Sequence, residues 1–526
     1  MVARISECGF RIAGSAFSNP QSAFRNPMRH AVWLLAFGLA AIAGCGDSVH
    51  EQFITDNQGR ALILHGVNVT GSAKDDPLRM PWITQDDAQR VARDWGFNLA
   101  RFLILWDAVE PSPGQYDEAY LDRVAERVQW FADAGVYVIF DMHQDVYGKF
   151  DSSGKVLGFD GAPPWAGRTD GLYQPLEQPW SVNYIHPNVR RAFDNFWNDT
   201  GPNADLQQHY AAMWAHVAAR FQGNPMVLGY NLMNEPAAGS AMYEDFGGGV
   251  VVGSLQKSIA FETTKFRRFH ERMIAAIRNV DPGGWIFYEP LASPANNGGP
   301  SHLGVLSDPR PGESHLAYFP HLYAFAPEVR GSYQPEDTKV LDDWSRERTA
   351  EIRAQHGAMF IGEFGVIADA GGDPLGYLRQ MMTLADRITS GWAYWSYDRG
   401  GGFSILNSDG GERPSLNELV RTYPQRVAGT PERYFYDPES KLFSLSFTDR
   451  AGVSGPTEIY VPARRFYPDG WQLHVSDADG TWSSTWDADR ELLSVSTPQT
   501  GRQHYLLVTR PVACGNLFGR ACGWRN

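Results

Sequence analysis

The chain has 526 residues and a formal net charge of −14, with a sequence pI near 5.5. This acidic balance excludes nucleic acid and an anionic membrane surface as electrostatic partners. The length exceeds one compact core of ordinary size and predicts a large domain followed by a smaller one. The 17 Trp, 22 Tyr and 29 Phe fit a carbohydrate-stacking cleft, although ordinary core packing accounts for most of them.

The N-terminal segment, residues 1–45, reads as an export signal. A basic start at Met28 is followed by the apolar run Ala31–Ala43, which is too short to span a membrane, and then by Gly-Cys at Cys45. This pattern resembles a bacterial lipoprotein signal and implies cleavage before Cys45 and lipidation of its thiol. A plain secretory signal with an incidental cysteine is the alternative. We expect Met28 to be the true start, and the protein to be exported and either anchored to the cell envelope or secreted.

Cysteine usage is sparse, and its spacing is unlike that of metal ligands. Besides Cys45, the chain carries Cys8, Cys514 and Cys522. The last two enclose a short loop near the C-terminus and could form a disulfide in an oxidising compartment. We predict no metal and no cofactor.

Strands alternate with helices across residues 50–421, which predicts parallel βαβ units. The predicted strands lie at 62–69, 98–105, 136–142, 227–235, 285–288, 316–319, 358–364 and 391–395. The predicted helices lie at 84–95, 117–134, 206–221, 258–279, 341–356 and 375–388. A doubly wound open sheet could share this local pattern, but polar residues at nearly every strand end favour a (β/α)8 TIM barrel.

The sequence pattern changes after residue 421, where the alternation of strands and helices ends. Six short strands with alternating hydrophobicity, separated by turn residues, predict a C-terminal β-sandwich over 430–526. This domain could bind carbohydrate, but a structural cap on the barrel is the favoured interpretation. We expect a monomer.

Two glutamates stand at the ends of apolar runs. Glu235 ends the run Val227–Met233 within Asn-Glu-Pro, and Glu363 lies in the run Ala358–Phe364 before a glycine. A single strand-end glutamate is more often solvated or ion-paired. Two of them, half a barrel apart, are what double-displacement glycoside hydrolysis needs, because it uses one proton donor and one nucleophile about 5 Å apart. Asn234 is expected to bind a sugar 2-hydroxyl.

These motifs resemble the family 5 glycoside hydrolases, together with the arginine of Leu-Ala-Arg101-Phe and the tryptophan of Tyr-Trp395-Ser. Within that family the chain is similar to the endoglycoceramidases, which release the whole glycan from ceramide. The shared stretches are Asp141–Asp145, Asp160–Ala166, Asn195–Asn198 and Asn231–Pro236. The resemblance implies that Glu235 is the acid/base and Glu363 the nucleophile. It also implies that the glycone subsites are lined by Lys74, His143, Asp145, Trp165, Tyr323 and Trp395.

Three of these side chains have a second interpretation. Asp145 could accept bonds from sugar hydroxyls or could orient His143. Lys74 could anchor a hydroxyl or an acidic sugar, although a loop lysine is usually solvated. Trp395 is expected to form a stacking floor, with core packing as the alternative. A further set, expected to hold Glu363 ionised and aimed, comprises Arg101, His321 and Tyr323.

The predicted partner is a glycolipid or another β-glycoside, and the predicted membrane contact is through the lipid anchor and the substrate. One rival is an endoglucanase or mannanase of the same family, or a β-glucosidase acting on steryl or non-lipid glucosides. The other is a non-catalytic carbohydrate-binding lipoprotein. Loss of all function in a Glu235→Gln variant would exclude the second.

Overall fold

The computed structural model describes residues 52–246, 249–388 and 391–511. The predictions on the export signal and on Cys8, Cys45, Cys514 and Cys522 therefore fall outside the described residues. No helix in the described part of the chain is long and apolar enough to cross a membrane.

The first domain is a closed barrel of eight parallel strands. In chain order the strands are β1 His65–Val69, β2 Leu99–Leu105, β3 Tyr137–His143, β4 Val227–Asn231, β5 Trp285–Tyr288, β6 Leu316–Tyr318, β7 Ala358–Phe364 and β8 Gly391–Tyr394. The barrel closes where Tyr394 of β8 pairs in parallel with Val67 of β1. Because consecutive strands are parallel and joined by helical crossovers, the predicted (β/α)8 fold class is confirmed.

Helices surround the barrel. They are α1 Gln85–Arg93, α2 Glu118–Asp133, α3 Ala204–Phe221, α4 Arg267–Arg278, α5 Ala292–Ala295, α6 Lys339–Gln355, α7 Pro374–Arg387 and α8 Leu416–Leu419. Further helices lie at Trp106–Val109, Pro187–Phe196, Leu255–Phe261, Phe325–Arg330 and Ala463–Phe466. Thr84 begins α1 with a reciprocal capping box to Asp87. The single helix predicted over 258–279 is instead divided by a π-helical turn at Glu262–Phe266.

The barrel interior has an apolar lower layer and a polar upper layer. In several strands, alternation carries a buried apolar residue inward and then, two residues later, a polar one. Thus Ile139 precedes Asp141, and Phe287 precedes Glu289. In β7 the pairing with β8 is irregular between Ile361 and Phe364. A bulge of this kind re-aims a side chain, and here it directs Glu363 inward.

The second domain consists of two antiparallel sheets, as predicted. Its strands are β9 Tyr423–Val427, β10 Gly429–Asp437, β11 Leu442–Asp449, β12 Thr457–Tyr460, β13 Gln472–Val475, β14 Ser483–Asp487, β15 Leu492–Ser496 and β16 Gln503–Thr509. One sheet has the order β9-β12-β15-β14 and gains a fifth strand, Ala61–Leu62, beside β9. The other has the order β10-β11-β16-β13.

The second domain packs against the starts of the barrel strands. The hydroxyl of Tyr434 lies 3.3 Å from a ring nitrogen of His65, the first residue of β1. Tyr423 donates to the carbonyl of Gly96, before β2, at 2.7 Å. Because active sites of such barrels lie at the opposite, carboxyl ends of the strands, this domain closes the base of the barrel and leaves the cleft free.

Candidate active site

The two predicted glutamates meet at the carboxyl ends of the strands. Glu235 follows β4, and Glu363 lies near the end of β7. A carboxylate oxygen of each, together with a ring nitrogen of His321, all lie within 4.8 Å of one another. Inverting glycosidases hold their carboxyl groups about 6.5–9.5 Å apart to admit a water, whereas retaining ones hold them about 5–5.5 Å apart. The spacing therefore suits a double displacement.

Glu235 has a fixed and unusual conformation. Its φ is +43°, in the left-handed region that side chains other than glycine seldom adopt. Its Oε1 accepts a hydrogen bond from Asn296 Nδ2 at 2.7 Å and lies 3.0 Å from His321 Nδ1. Since both of these donors reach Oε1, the transferable proton of the acid form belongs on Oε2.

Glu363 is buried and held by three groups. Arg101 donates to its Oε1, Tyr323 donates its hydroxyl to Oε2 at 3.2 Å, and His321 Nδ1 lies 3.5 Å from Oε2. Burial raises the pKa of Glu363, the positive charges of His321 and Arg101 oppose that rise, and the nearby Glu235 adds to it. The two cations favour the ionised form that a nucleophile requires.

Arg101 is the central cation of the polar layer. Its guanidinium donates to Asn68 at 2.8 Å, to Asn231 at 2.7 Å and to the side-chain oxygen of Asn234 at 2.8 Å, and it lies 2.9 Å from Asp141. Burial works against its charge, but the carboxylates of Asp141 and Glu363 hold the pKa of Arg101 above its ordinary value. This rigid fork fixes the orientation of several strand ends at once.

Asn234 is oriented from both sides. Its Oδ1 accepts from Arg101, and its Nδ2 donates to the carbonyl of Gln144 at 3.2 Å and lies 3.5 Å from His143 Nε2. The amide is therefore presented in one orientation beside Glu235. Its role towards a sugar hydroxyl stays a prediction.

Lys74 lies between two carboxylates. Its ammonium binds Asp145, lies 3.8 Å from Asp160 and lies 4.7 Å from the ring centre of Trp395. Burial opposes its charge, but Asp145 and Asp160 raise the pKa of Lys74 above its ordinary value. Burial, against the opposing charge of Lys74, raises the pKa of Asp160 to about 7. The alternative of a solvated loop lysine is thus excluded.

His143 stacks on Trp395, with ring centres 5.3 Å apart and planes at 12°. Its Nδ1 lies 2.7 Å from Asp141, and its Nε2 lies 3.5 Å from Asp145. Asp141, rather than Asp145, is therefore its main orienting carboxylate. Burial and the charge of Lys74 oppose protonation, but Asp141 raises the pKa of His143 to about 9.

Trp165 is the predicted site residue that the structure does not bring to the glutamates. Its described contacts are with Trp106, edge-on at 5.4 Å between ring centres, with His209, and with the carbonyl of Glu110. Trp165 belongs to the long segment after β3, and these contacts pack it against the residues that follow β2 and against α3. A direct contact with the sugar stays a prediction.

Three groups of carboxylates and histidines could by composition hold a metal ion. They are Asp141-His143-Glu363, His143-Asp145-Asp160 and Glu235-His321-Glu363. Cations already contact most of these carboxylates: Arg101 contacts Asp141 and Glu363, Lys74 contacts Asp145, and His321 contacts Glu235. Asp160 is less closely paired, with the Lys74 ammonium 3.8 Å away.

Several polar residues of the site were missed from sequence. They are Asn68, Asp141, Asn231, Glu289 and Asn296. One signal was present: Glu289-Pro290 follows β5 just as Glu235-Pro236 follows β4. Asp141 and Asn231 begin two of the shared stretches but were given no role there, and Asn68 and Asn296 carry no comparable motif.

Replacing Lys74 with methionine is expected to weaken glycone binding more than it slows chemistry. The change keeps the stem length but removes the ammonium that lies between Asp145 and Asp160, so the repulsion between these two carboxyl groups is no longer offset there. We expect KM to rise about 10-fold, with kcat changed less than about 3-fold. Steady-state kinetics test this, with Lys257→Met as the control, since Lys257 forms an exposed pair with Glu244. An unchanged KM would contradict the assignment.

Comparison with known proteins agrees with this geometry. Residues 56–401 match the model of Cellulase (glycosyl hydrolase family 5), and residues 421–508 match that of the Glycoside hydrolase family 5 C-terminal domain. Endoglycoceramidase I of Rhodococcus hoagii (strain 103S) is 30% identical over 446 residues, which are 81% of this chain and 82% of that protein.

Solved structures give the same result. The Rhodococcus sp. endo-glycoceramidase II in complex with ganglioside GM3 superposes with a TM-score of 0.78 and is 36% identical, covering 88% of this chain and 100% of that one. The same enzyme as a lactosyl-enzyme intermediate gives a TM-score of 0.77 at the same identity and coverage. The neighbour thus forms a covalent sugar intermediate on the same fold.

Proposed function

Because this chain belongs to glycosyl hydrolase family 5, we propose that it hydrolyses the β-glycosidic bond between the glycan and the ceramide of glycosphingolipids. Membership, suggested first by the sequence motifs, is confirmed, and the chain is a retaining glycosidase. The observation that carries the lipid substrate is the 36% identity, over the whole length of the neighbour, to an enzyme bound to ganglioside GM3.

The first chemical step uses both glutamates. Glu235 transfers the proton on Oε2 to the glycosidic oxygen while Glu363 attacks the anomeric carbon from the opposite face. The bond to the ceramide oxygen breaks, ceramide leaves as an alcohol, and the sugar is bonded to Glu363. Arg101 and Tyr323 aim the attacking carboxylate, because each donates to one of its oxygens.

The second step restores the enzyme. The ionised Glu235 removes a proton from a water, which attacks the anomeric carbon and releases Glu363. Two inversions give net retention of configuration. His321 contacts both carboxylates, at 3.0 Å and 3.5 Å, so it can follow the movement of negative charge between them.

Exposed apolar side chains support a lipid aglycone. Val252 and Leu255 follow Glu235 along the chain and are 77% and 65% exposed. Phe325 and Val329 follow Tyr323 and are 51% and 57% exposed. Both segments leave the catalytic end of the barrel, where an acyl chain can cover apolar surface that is otherwise in contact with water.

The test is product identification. Residues 46–526 are incubated with detergent-dispersed glucosylceramide, galactosylceramide, lactosylceramide and a ganglioside, and the released sugars are separated by chromatography. We expect intact glycan and ceramide, both absent with Glu363→Gln. Release from none of the lipids, together with cleavage of an aryl β-glycoside or a soluble β-glucan, would overturn the ceramide assignment and leave the glycosidase.

The proposal extends to the location of the enzyme. We expect export, a lipid on Cys45 and a monomer in detergent, supported by the signal-like residues 28–45. Incorporation of labelled palmitate into the wild-type protein, but not into Cys45→Ala, is the expected result, with light scattering giving the mass. Equal labelling of both would contradict lipidation at Cys45.

A further inference from the structure

A buried glutamate with no part in the reaction lies next to the two that react. Glu289 directly follows β5, its residue is 3% exposed, and it is followed by Pro290. The double displacement described above gives it no step. A carboxylate with so little access to water must be balanced by its neighbours, so those neighbours define what it does.

Glu289 contacts the machinery at three points. Its Oε2 accepts the backbone N–H of Glu235 at 2.8 Å. Its Oε1 lies 3.3 Å from His321 Nε2 and accepts from Arg101 at 3.3 Å. We propose that Glu289 is a positioning residue that holds the acid/base Glu235 in its reactive geometry, through the backbone of Glu235 and through the charge of His321.

The backbone contact acts on a conformation that needs support. Glu235 has a φ of +43° and precedes a proline, so its backbone is strained and its N–H lies outside the β4 ladder. Glu289 Oε2 supplies the acceptor for that N–H. Without the acceptor, a buried donor is left unpaired and the left-handed conformation loses the bond that holds it.

The charge contact acts through His321. Burial alone disfavours the imidazolium, but the charges of Glu289 and Glu363 raise the pKa of His321 to about 10. His321 therefore stays protonated near neutral pH: its Nδ1 donates to Glu235 Oε1, and its Nε2 faces the Glu289 carboxylate at 3.3 Å. This keeps Oε1 occupied and leaves Oε2 for the proton that is transferred. The charged groups that face His321 or its partners are Glu235, Glu289, Glu363 and Arg101.

The first test is Glu289→Gln with two substrates. The amide keeps the shape but removes the charge and can turn an N–H towards Glu235. We expect kcat on a glycoside with a poor, alkyl leaving group to fall about 100-fold with a small change in KM. For an aryl glycoside that needs no protonation, the fall in the rate of the first step should be under about 5-fold.

The second test is the pH profile. Removing the Glu289 charge lowers the pKa of His321, so the ring loses its proton at a lower pH than in the wild type. The alkaline limb of the kcat profile should therefore move to lower pH in Glu289→Gln and recover in part in Glu289→Asp. Both limbs unchanged, with equal losses on the two substrates, would overturn the proposal.

A matched control separates positioning from folding. The Asp308 side chain is likewise shielded, with 1% exposure, accepts from Arg278 at 2.8 Å and accepts a backbone N–H from His315 at 2.8 Å, at the base of the barrel before β6. Asp308→Asn should lower the melting temperature but leave the pH profile and the ratio of the two substrates as in the wild type. If Asp308→Asn also changed the pH profile or the ratio of activities on the two substrates, these changes would not be specific to Glu289, and the proposal would be overturned.

Discussion

Glu363→Gln is expected to reduce hydrolysis of every substrate by roughly 10⁴-fold or more, because the amide cannot form the covalent sugar intermediate. The change is nearly isosteric: Arg101 can keep the amide oxygen as its acceptor, and the Tyr323 hydroxyl can instead accept from the amide nitrogen. Turnover of an aryl β-glycoside and of a glycolipid measures the loss. When the wild-type enzyme is treated with a mechanism-based fluorosugar, mass spectrometry should find the covalent label on Glu363.

Glu262→Gln is the matched control for this variant. Glu262 is a glutamate with 1% exposure, and it accepts bonds from Ser301 and from the backbone of His302, away from the cleft. The activity of Glu262→Gln should stay within about 3-fold of the wild type. Comparable losses in both variants, or a fluorosugar label on another residue, would contradict the role given to Glu363.

Glu235→Ala is expected to show a loss that depends on the leaving group. General acid–base catalysis contributes about 10²- to 10⁴-fold, so the glycolipid should lose that much. An aryl glycoside with an acidic phenol should still form the covalent intermediate, which then accumulates. Azide, which needs no general base, should restore turnover and give a β-glycosyl azide of retained configuration.

The same variant has a signature in its pH dependence. Burial raises the pKa of Glu363 and the Glu235 charge adds to it, so removing Glu235 lowers the pKa of the nucleophile. The acidic limb of the first step should therefore move to lower pH. No azide product and an unmoved acidic limb would argue that Glu235 is not the acid/base.

The barrel could be predicted because its signals are local. Each strand is a short apolar run, and each long helix carries a periodic apolar face, as in Asp117–Ala134 for α2. The reacting glutamates were found because a carboxylate inside an apolar run is conspicuous. Glu289 carries the same Glu-Pro signature, but it follows the short strand Trp285–Tyr288 and was passed over.

Other features depend on contacts that no local pattern encodes. Strict alternation in β7 would bring Gly362 and Phe364 inward with Phe360, and the bulge that turns Glu363 inward is visible only in the pairing with β8. Strand β14, Ser483–Asp487, is exposed along its whole length, so it lacks the alternation that marks a half-buried strand. The pairing of Ala61–Leu62 with β9 joins segments over 350 residues apart, beyond any window of sequence.

The pairing of Ala61–Leu62 with β9 limits how the protein can be truncated or recombined with its relatives. Because the segment leading into the first barrel strand is itself part of a C-terminal sheet, the second domain is not an appendage that shortening or fusion can remove. The two domains also pack closely at Gly96, because a side-chain carbon at this position would lie 2.2 Å from the ring of Tyr460. A minimal catalytic fragment ending at Arg421 would expose an apolar base, whereas the loops at the opposite end can be exchanged. Sequence changes that alter the substrate range are therefore tolerated only in the loops at the catalytic end of the barrel.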